Sequence, residues 1–295
     1  MFLPPPTALE RLRGAWFRSK RSLDDFSNRT FLRKKHARKS AGWDARIAAI
    51  LASPDTALLP RVADAGLVRD HTQVMHNGLL VAKDCYYRWR GTRLFAATKG
   101  VHEPQEERVF AEVLKHIRPG GTMIELGAYW AFYSAWFARE IPDARCLLVE
   151  PLLTNLDLGR HNFRLNGLDG EFVRGFVGAA NSRHKSTPTV CVDDLVEARG
   201  FTQIDILHAD IQGFEDEMLK GAERTLRARK VRFAFISTHS EDLHRHCRAE
   251  LLRHDFELIA DVDLAASYSV DGILVGKLRG TDGPAPILVS RRSHP

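Results

Sequence analysis

The sequence predicts an α/β protein built on a seven-stranded, mostly parallel sheet with helices on both faces. Three observations predict it. From Gly121 onward, short apolar runs alternate with stretches of helical periodicity, the pattern of repeated strand–helix–strand units. Two of the runs end in an acidic residue and a turn, Glu125-Leu-Gly127 and Glu150-Pro151, at the strand tips where such sheets carry their ligands. The last two runs follow each other with no helix between them, which predicts a closing hairpin and an antiparallel last strand.

Taken in order, residues 1–70 form a basic helical N-terminal region. Helical spacing is present in Ala8–Arg18 and Asp44–Leu51, and Pro54 and Pro60 break it. Residues 1–50 hold 12 Lys/Arg against 4 Asp/Glu, so the net charge of +6 belongs to this extension and the body is near neutral. Residues 71–120 lead into the core. Gly78–Ala82 and Tyr86–Trp89 read as the strands of a hairpin joined near Lys83-Asp84. An amphipathic helix follows over Glu103–Ile117, with Val109, Phe110, Val113, Leu114 and Ile117 on one face. Pro104 suits its first turn and Pro119-Gly120-Gly121 ends it.

Residues 121–280 carry the sheet. The predicted strands are Thr122–Leu126, Arg145–Glu150, Phe172–Val177, Ile204–Ala209, Val231–Ser237, Phe256–Ala260 and Ser269–Gly276. The predicted helices run through Phe137, over Leu153–Asn166, over Phe214–Arg227 and over Asp242–Arg253. Residues 281–295 are a C-terminal tail.

Composition narrows the function classes. With 44% hydrophobic and 27% charged residues, the chain is neither disordered nor collagen-like, nor a disulfide miniprotein. No apolar run approaches the roughly 20 residues of a membrane span, and Met1–Pro6 is too short for a signal-peptide core. Cys85, Cys146, Cys191 and Cys247 form no CxxC pair and read as reduced thiols, which points to a cytoplasmic location. The basic segment with Arg33-Lys34-Lys35 and Arg38-Lys39 holds no specific nucleic-acid motif. It reads as a solvated helix, a contact for an anionic surface, or a contact between subunits of a homo-oligomer.

The strand tips describe a ligand. No GxGxxG is present, so a diphosphate-binding nicotinamide loop is disfavoured. Glu125, leading into the turn Gly127-Ala128-Tyr129, suits a ligand with a positive amino group, and Gly127 lets backbone approach it closely. Glu150, before Pro151, can accept hydrogen bonds from both hydroxyls of a ribose. A ribose, a cationic amino-acid end and no phosphate describe S-adenosylmethionine.

The stretch from Gly121 to about Gly276 resembles the FkbM-type family of S-adenosylmethionine-dependent methyltransferases. The matching blocks are Glu125–Ala128, Val149-Glu150-Pro151, Thr189-Val-Cys-Val-Asp-Asp-Leu195 and Ile206-Leu-His-Ala-Asp210-Ile-Gln-Gly213-Phe-Glu215 with Leu219-Lys-Gly-Ala222. The resemblance implies a class I methyltransferase (Rossmann-like) fold and O-methylation of a hydroxyl on a sugar, glycan or natural product. It departs from the family pattern at Glu125, usually Asp; at Ala131, usually Gly, which is expected to crowd the cofactor turn; at Gln212, usually Glu; and at Thr238-His239, where Glu is common. The resemblance also implies that the segment before the first strand folds over the cofactor, which makes Glu103 and Gln105 candidate cofactor contacts.

Methyl transfer to oxygen is an in-line displacement that needs alignment and a proton acceptor. Asp210, at the tip of the fourth strand before Gly213, is the first catalytic candidate, with an N-cap as its alternative role. His239, at the tip of the fifth strand, suits a base near neutral pH; alternatively, Thr238-His-Ser-Glu241 is a capping box. Asp210 and His239 together also suit a divalent cation that binds a sugar diol. Glu215 fits the first turn of a helix, and Asp271 fits a turn before the last strand. Tyr86-Tyr87-Arg88-Trp89 suits either a sugar-stacking face or a half-buried hairpin. His244 and His246 face different sides of their helix and form no zinc pair with Cys247. Two other classes stay open: a nucleic-acid methyltransferase, and a cofactor-binding protein without turnover.

Overall fold

The computed structural model describes residues 42–184 and 186–292. The expected helix at Ala8–Arg18 and the basic clusters at Arg33–Lys35 and Arg38-Lys39 lie outside the described residues. The chain divides into two compact units, Met1–Ala45 and Arg46–Pro295. Of the first, residues 42–45 are described and are helical. The second holds every element named below, so residue 70 is not a boundary between units.

Residues 46–52 are helical. Helix α1 (Pro54–Leu58) follows: Pro54 begins a helix, because the N–H it lacks would have no partner in a first turn. A small antiparallel sheet comes next, β1 (Val68–Arg69), β2 (Thr72–Val74) and β3 (Leu80–Ala82), then helices α2 (Trp89–Thr98) and α3 (Pro104–Leu114). The expected hairpin is thereby corrected. Leu80–Ala82 pairs backward with Thr72–Val74, and Tyr86–Arg88 form the turn that feeds α2. Asp84, Tyr87 and Arg88 hold φ of 65°, 48° and 61°, a left-handed backbone that cannot continue a strand. Gly91 lets α2 close on this turn, since a Cβ there would lie 1.8 Å from the Tyr86 carbonyl oxygen.

The chain then runs β4 (Thr122–Leu126), α4 (Phe132–Glu140), β5 (Arg145–Glu150), α5 (Leu153–Leu165) and β6 (Glu171–Arg174). A side sheet follows, β7 (Phe176–Val177), β8 (Ser182–His184) and β9 (Thr187–Val190), and after it α6 (Val192–Ala198). The rest is β10 (Ile204–Ala209), α7 (Glu215–Lys220), α8 (Glu223–Arg227), β11 (Val231–Thr238), α9 (Glu241–Arg253), β12 (Phe256–Val262) and β13 (Gly272–Leu278). The strand read as Phe172–Val177 thus ends at Arg174, and Phe176–Val177 belongs to the side sheet. The helix read as Phe214–Arg227 splits at Gly221, where a Cβ would lie 2.3 Å from the Gly178 carbonyl oxygen, so the loop after β7 packs directly on the break.

The main sheet has the order β12-β13-β11-β10-β4-β5-β6. It is parallel throughout except for β13, which runs antiparallel to both β11 and β12 and inserts between them. This is the Rossmann-like class expected, with its antiparallel last strand. All residues of β4 and β10 are buried, as central parallel strands covered on both faces must be. The chain moves outward from β4 to β6 and then returns to β10 on the other side of β4. The gap between the tips of β4 and β10 is therefore the switch point where such sheets bind ligands. The four cysteines are buried and free. Among the described residues, no helix is long and apolar enough to cross a membrane.

Candidate functional site

A cavity of about 1250 Å³ opens over this switch point, above the roughly 300–1,000 Å³ usual for one small ligand. Glu125, Gly127, Ala128, Tyr129, Glu150 and Pro151 all line it, and so do Glu103, Asp210 and Asp271. The turn after β4 is pinned on both sides. Gly127 N and Ala128 N donate to Val149 O at 2.9 and 3.0 Å, and Asp210 N donates to Leu126 O at 3.0 Å. Gly127 has φ 79°, and a Cβ on it would lie 1.9 Å from Asp210 O.

Ala131 also holds a left-handed backbone, φ 64°, which explains why glycine suits the position. The expectation that it crowds the cofactor turn is corrected. Ala131 is not on the cavity wall; its methyl faces α5, where a Cβ on Gly159 would approach it to 3.1 Å.

Glu125 is buried, and its Oε2 accepts from Ser134 N at 3.1 Å, capping α4. Burial raises its pKa, with His208 opposing. Glu150 Oε2 accepts from Tyr129 N at 3.1 Å, and Oε1 accepts from Leu152 N at 2.9 Å and Asn155 Nδ2 at 3.2 Å. Burial raises its pKa too, and these donors oppose. A carboxylate offers about four acceptor positions, so Glu150 can still take a ligand hydroxyl. A buried acid beside a glycine turn, and a second acid with acceptor capacity one strand away, fit an adenosyl amino acid.

The segment before β4 does reach the cavity, through a buried acid–imidazole network. Glu103 accepts from the Tyr133 hydroxyl at 3.0 Å and lies 3.5 Å from His102 Nε2. His102 Nδ1 is 2.5 Å from Glu107, which also faces His76 at 3.3 Å. Burial pushes Glu103 up to about 7, with Glu106 and Asp210 adding to the rise and His102 and Arg46 opposing it. Gln105 is corrected. It is absent from the cavity wall, and its amide is spent on Ser290 O at 2.6 Å, Tyr268 N at 2.9 Å and Ser267 Oγ at 3.2 Å. It fastens the C-terminal strap.

His239 does not line the cavity itself; it sits among carboxylates, of which Asp210 and Asp271 do. Its Nε2 is 3.3 Å from Asp210 and 3.4 Å from Asp271, and its Nδ1 is 2.9 Å from Glu215. The Gln212 amide nitrogen donates to Asp210 Oδ1 at 2.9 Å. Burial would depress the imidazole pKa, but contacts with Asp210, Glu215 and Asp271 raise it to about 10. His239 is thus an imidazolium at neutral pH and is not placed to act as a base there. It already supplies the positive charge that a divalent cation on Asp210 and His239 would bring. Asp210 stays ionised: burial opposes, but the His239 contact lowers its pKa. Burial lifts Asp271 to about 6. Glu215 also accepts from Ile211 N and Gly213 N, both at 3.2 Å, so it shapes the loop under Asp210. The capping box is corrected as well: Ser240 caps α9 through Leu243 N, and Thr238 bonds His244.

The sign of the His239 shift carries a prediction. An unfolded histidine titrates near 6.5, so the stabilisation from this cluster is complete below that pH and is lost as pH rises through about 10. Urea unfolding at several pH values is expected to show stability falling across this window, with a smaller fall in His239→Gln.

Tyr86 is buried against Phe95 and Trp130 and takes a 2.6 Å hydrogen bond from Arg46, while Tyr87 and Tyr129 pack edge to face on the wall. Arg46, Glu106 and His208 went unseen in the sequence. Glu106 lay in the run His102-Glu103-Pro-Gln-Glu-Glu107, explained equally well as a helix start, and His208 lay inside the block Ile206–Glu215 as one residue of a buried strand.

A profile of the methyltransferase FkbM domain matches residues 35–258, more than half of the chain and well upstream of the blocks at Glu125–Ala222. No curated protein sequence matches. Similar solved structures include an O-methyltransferase from Bacillus cereus in complex with S-adenosylhomocysteine, at 14% identity and TM-score 0.43, covering 60% of this chain and 82% of that one. Precorrin-6y C5,15-methyltransferase from Geobacter metallireducens is similar at 17% identity and TM-score 0.40, covering 58% and 87%. TrmK from M. capricolum, in complex with S-adenosylhomocysteine, is similar at 11% identity and TM-score 0.41, covering 58% and 67%.

Proposed function

Because the chain belongs to the FkbM methyltransferase domain family, we propose that it moves the methyl group of S-adenosylmethionine onto a hydroxyl oxygen of a small molecule or glycan, a sugar hydroxyl foremost. One observation carries the reading: the carboxylates of Glu125, Glu150 and Asp210, from three neighbouring strands, converge on one cavity at the switch point.

S-adenosylmethionine supplies an electrophilic methyl group when bound. Glu150 takes a ribose hydroxyl, and Glu125 sits beside the amino end. Asp210 accepts the hydrogen bond of the acceptor hydroxyl, aligns its oxygen and takes its proton as attack proceeds. A carboxylate of lowered pKa is a weak base, so alignment is the larger part of its contribution. His239 holds Asp210 in place from one side and Gln212 from the other.

The wall is rich in acids, with Glu217 and Asp271 beside those named. Acids outnumber the cations Arg46, His102 and His208 on it, which favours a neutral acceptor over a nucleic acid. The outward turn of the Ala131 methyl removes the steric reason for binding without turnover.

The test is an assay with methyl-labelled S-adenosylmethionine, a panel of glycosides and a set of RNA and DNA oligomers, read by mass spectrometry. A methyl ether on a glycoside is the expected product, and label found in the oligomers alone would overturn the reading. Repeating the assay in EDTA reports whether a divalent cation shares the work of His239. In the same series, Glu150→Ala is expected to weaken S-adenosylhomocysteine binding about 100-fold by calorimetry, the loss of charge-assisted hydrogen bonds together with two backbone N–H groups left unpaired.

A further inference from the structure

We infer that His208 is the anchor for the α-carboxylate of S-adenosylmethionine, which it receives on Nδ1. The inference rests on the methyltransferase reading and concerns the amino-acid end of the same cavity.

His208 lies on β10 in register with Glu125 on β4, so the two side chains come from strands about 4.8 Å apart. It lines the cavity and is 3% exposed. The ring is held from behind. Nε2 is 2.7 Å from Glu106 Oε1, and Glu106 Oε2 accepts from Ser237 Oγ at 3.0 Å. Tyr133 packs on the ring at 4.4 Å, with Phe235 at 6.2 Å.

Nδ1 is different. It is buried and has no hydrogen-bond partner among the described residues. His102, the other imidazole on the wall, and His239, which is off the wall, each face a carboxylate from both ring nitrogens. His208 does so from Nε2 alone. A buried donor left unpaired is destabilising unless a ligand completes it.

The chemistry of that ligand follows from the neighbours. Burial disfavours the charged ring, but Glu106, Glu125 and Asp210 outweigh it and favour the imidazolium; in that form, held by Glu106 at 2.7 Å from Nε2, Nδ1 is a donor and suits an anion. One strand away Glu125 calls for a cation. A positive donor and a carboxylate side by side match an amino-acid zwitterion, with carboxylate on His208 and ammonium on Glu125. A compact, charge-assisted hydrogen bond is the strong kind.

The test compares S-adenosylhomocysteine with its decarboxylated analogue, which lacks only the carboxylate, by calorimetry. Wild-type protein is expected to prefer S-adenosylhomocysteine at least ten-fold. In His208→Gln the preference should fall to near one, and His208→Lys, which keeps a positive donor, should restore most of it. An unchanged preference in His208→Gln overturns the inference and leaves the methyltransferase reading standing; wild-type protein that binds neither ligand overturns both. Should His208→Gln fail to fold, the imidazole nitrogen resonances of the wild type give a second readout. They should respond to S-adenosylhomocysteine and not to the analogue, and an equal response to both overturns the inference.

Discussion

Asp210→Asn is expected to lower turnover by about 10²–10⁴-fold, the range for loss of a positioned acid–base group, while S-adenosylhomocysteine affinity stays within a few-fold. The side chain is nearly isosteric, and the contacts that pin the cofactor turn use the main chain: Asp210 N bonds Leu126 O, and Asp210 O is the atom that Gly127 approaches. The substitution removes the negative charge that faces the acceptor and is shared with His239. Stopped assays with saturating cofactor, alongside calorimetry, separate the two effects. If affinity and turnover fell together, Asp210 would be part of the cofactor seat and not of the acceptor site.

Gly127→Ala is expected to be among the most damaging single methyls in the described residues. Two costs coincide there. The backbone is left-handed at φ 79°, and the added Cβ would lie 1.9 Å from a carbonyl oxygen that cannot swing away, because Asp210 is itself tied to Leu126. The tips of β4 and β10 must then part. A destabilisation of about 3 kcal/mol is expected, on the order of 10 °C in melting temperature, with cofactor binding lost. Gly200→Ala is the comparison. It shares the left-handed backbone, φ 60°, but has open space around it, so about 1 kcal/mol and unaltered binding are expected. Equal losses in the two variants would mean that strain alone, and not the close approach of the strand tips, explains Gly127.

The two variants also mark the border between what could be read and what could not. Central strands were legible because a strand buried on both faces is a short unbroken apolar run; Thr122–Leu126, Arg145–Glu150 and Ile204–Ala209 match to the residue. Glu125, Glu150 and Asp210 were legible for the same reason, since a charge that ends an apolar run has to sit at a strand tip. The turn at Tyr86–Arg88 was misread because aromatic residues favour strands, whereas left-handed dihedrals override that preference and leave no mark in composition. The side sheet was missed because strands of two to four residues have no period to detect.

The chain's local chemistry therefore determined its class, its sheet and the acidic strand tips, all consequences of burial pattern over neighbouring residues. Charge state and partnership were settled in three dimensions. His239 became an imidazolium and Gln105 a strap fastener through residues distant along the chain, Asp271 and Ser290 among them. A proton's affinity for a ring depends on every charge within a few ångströms, and folding alone decides which charges those are.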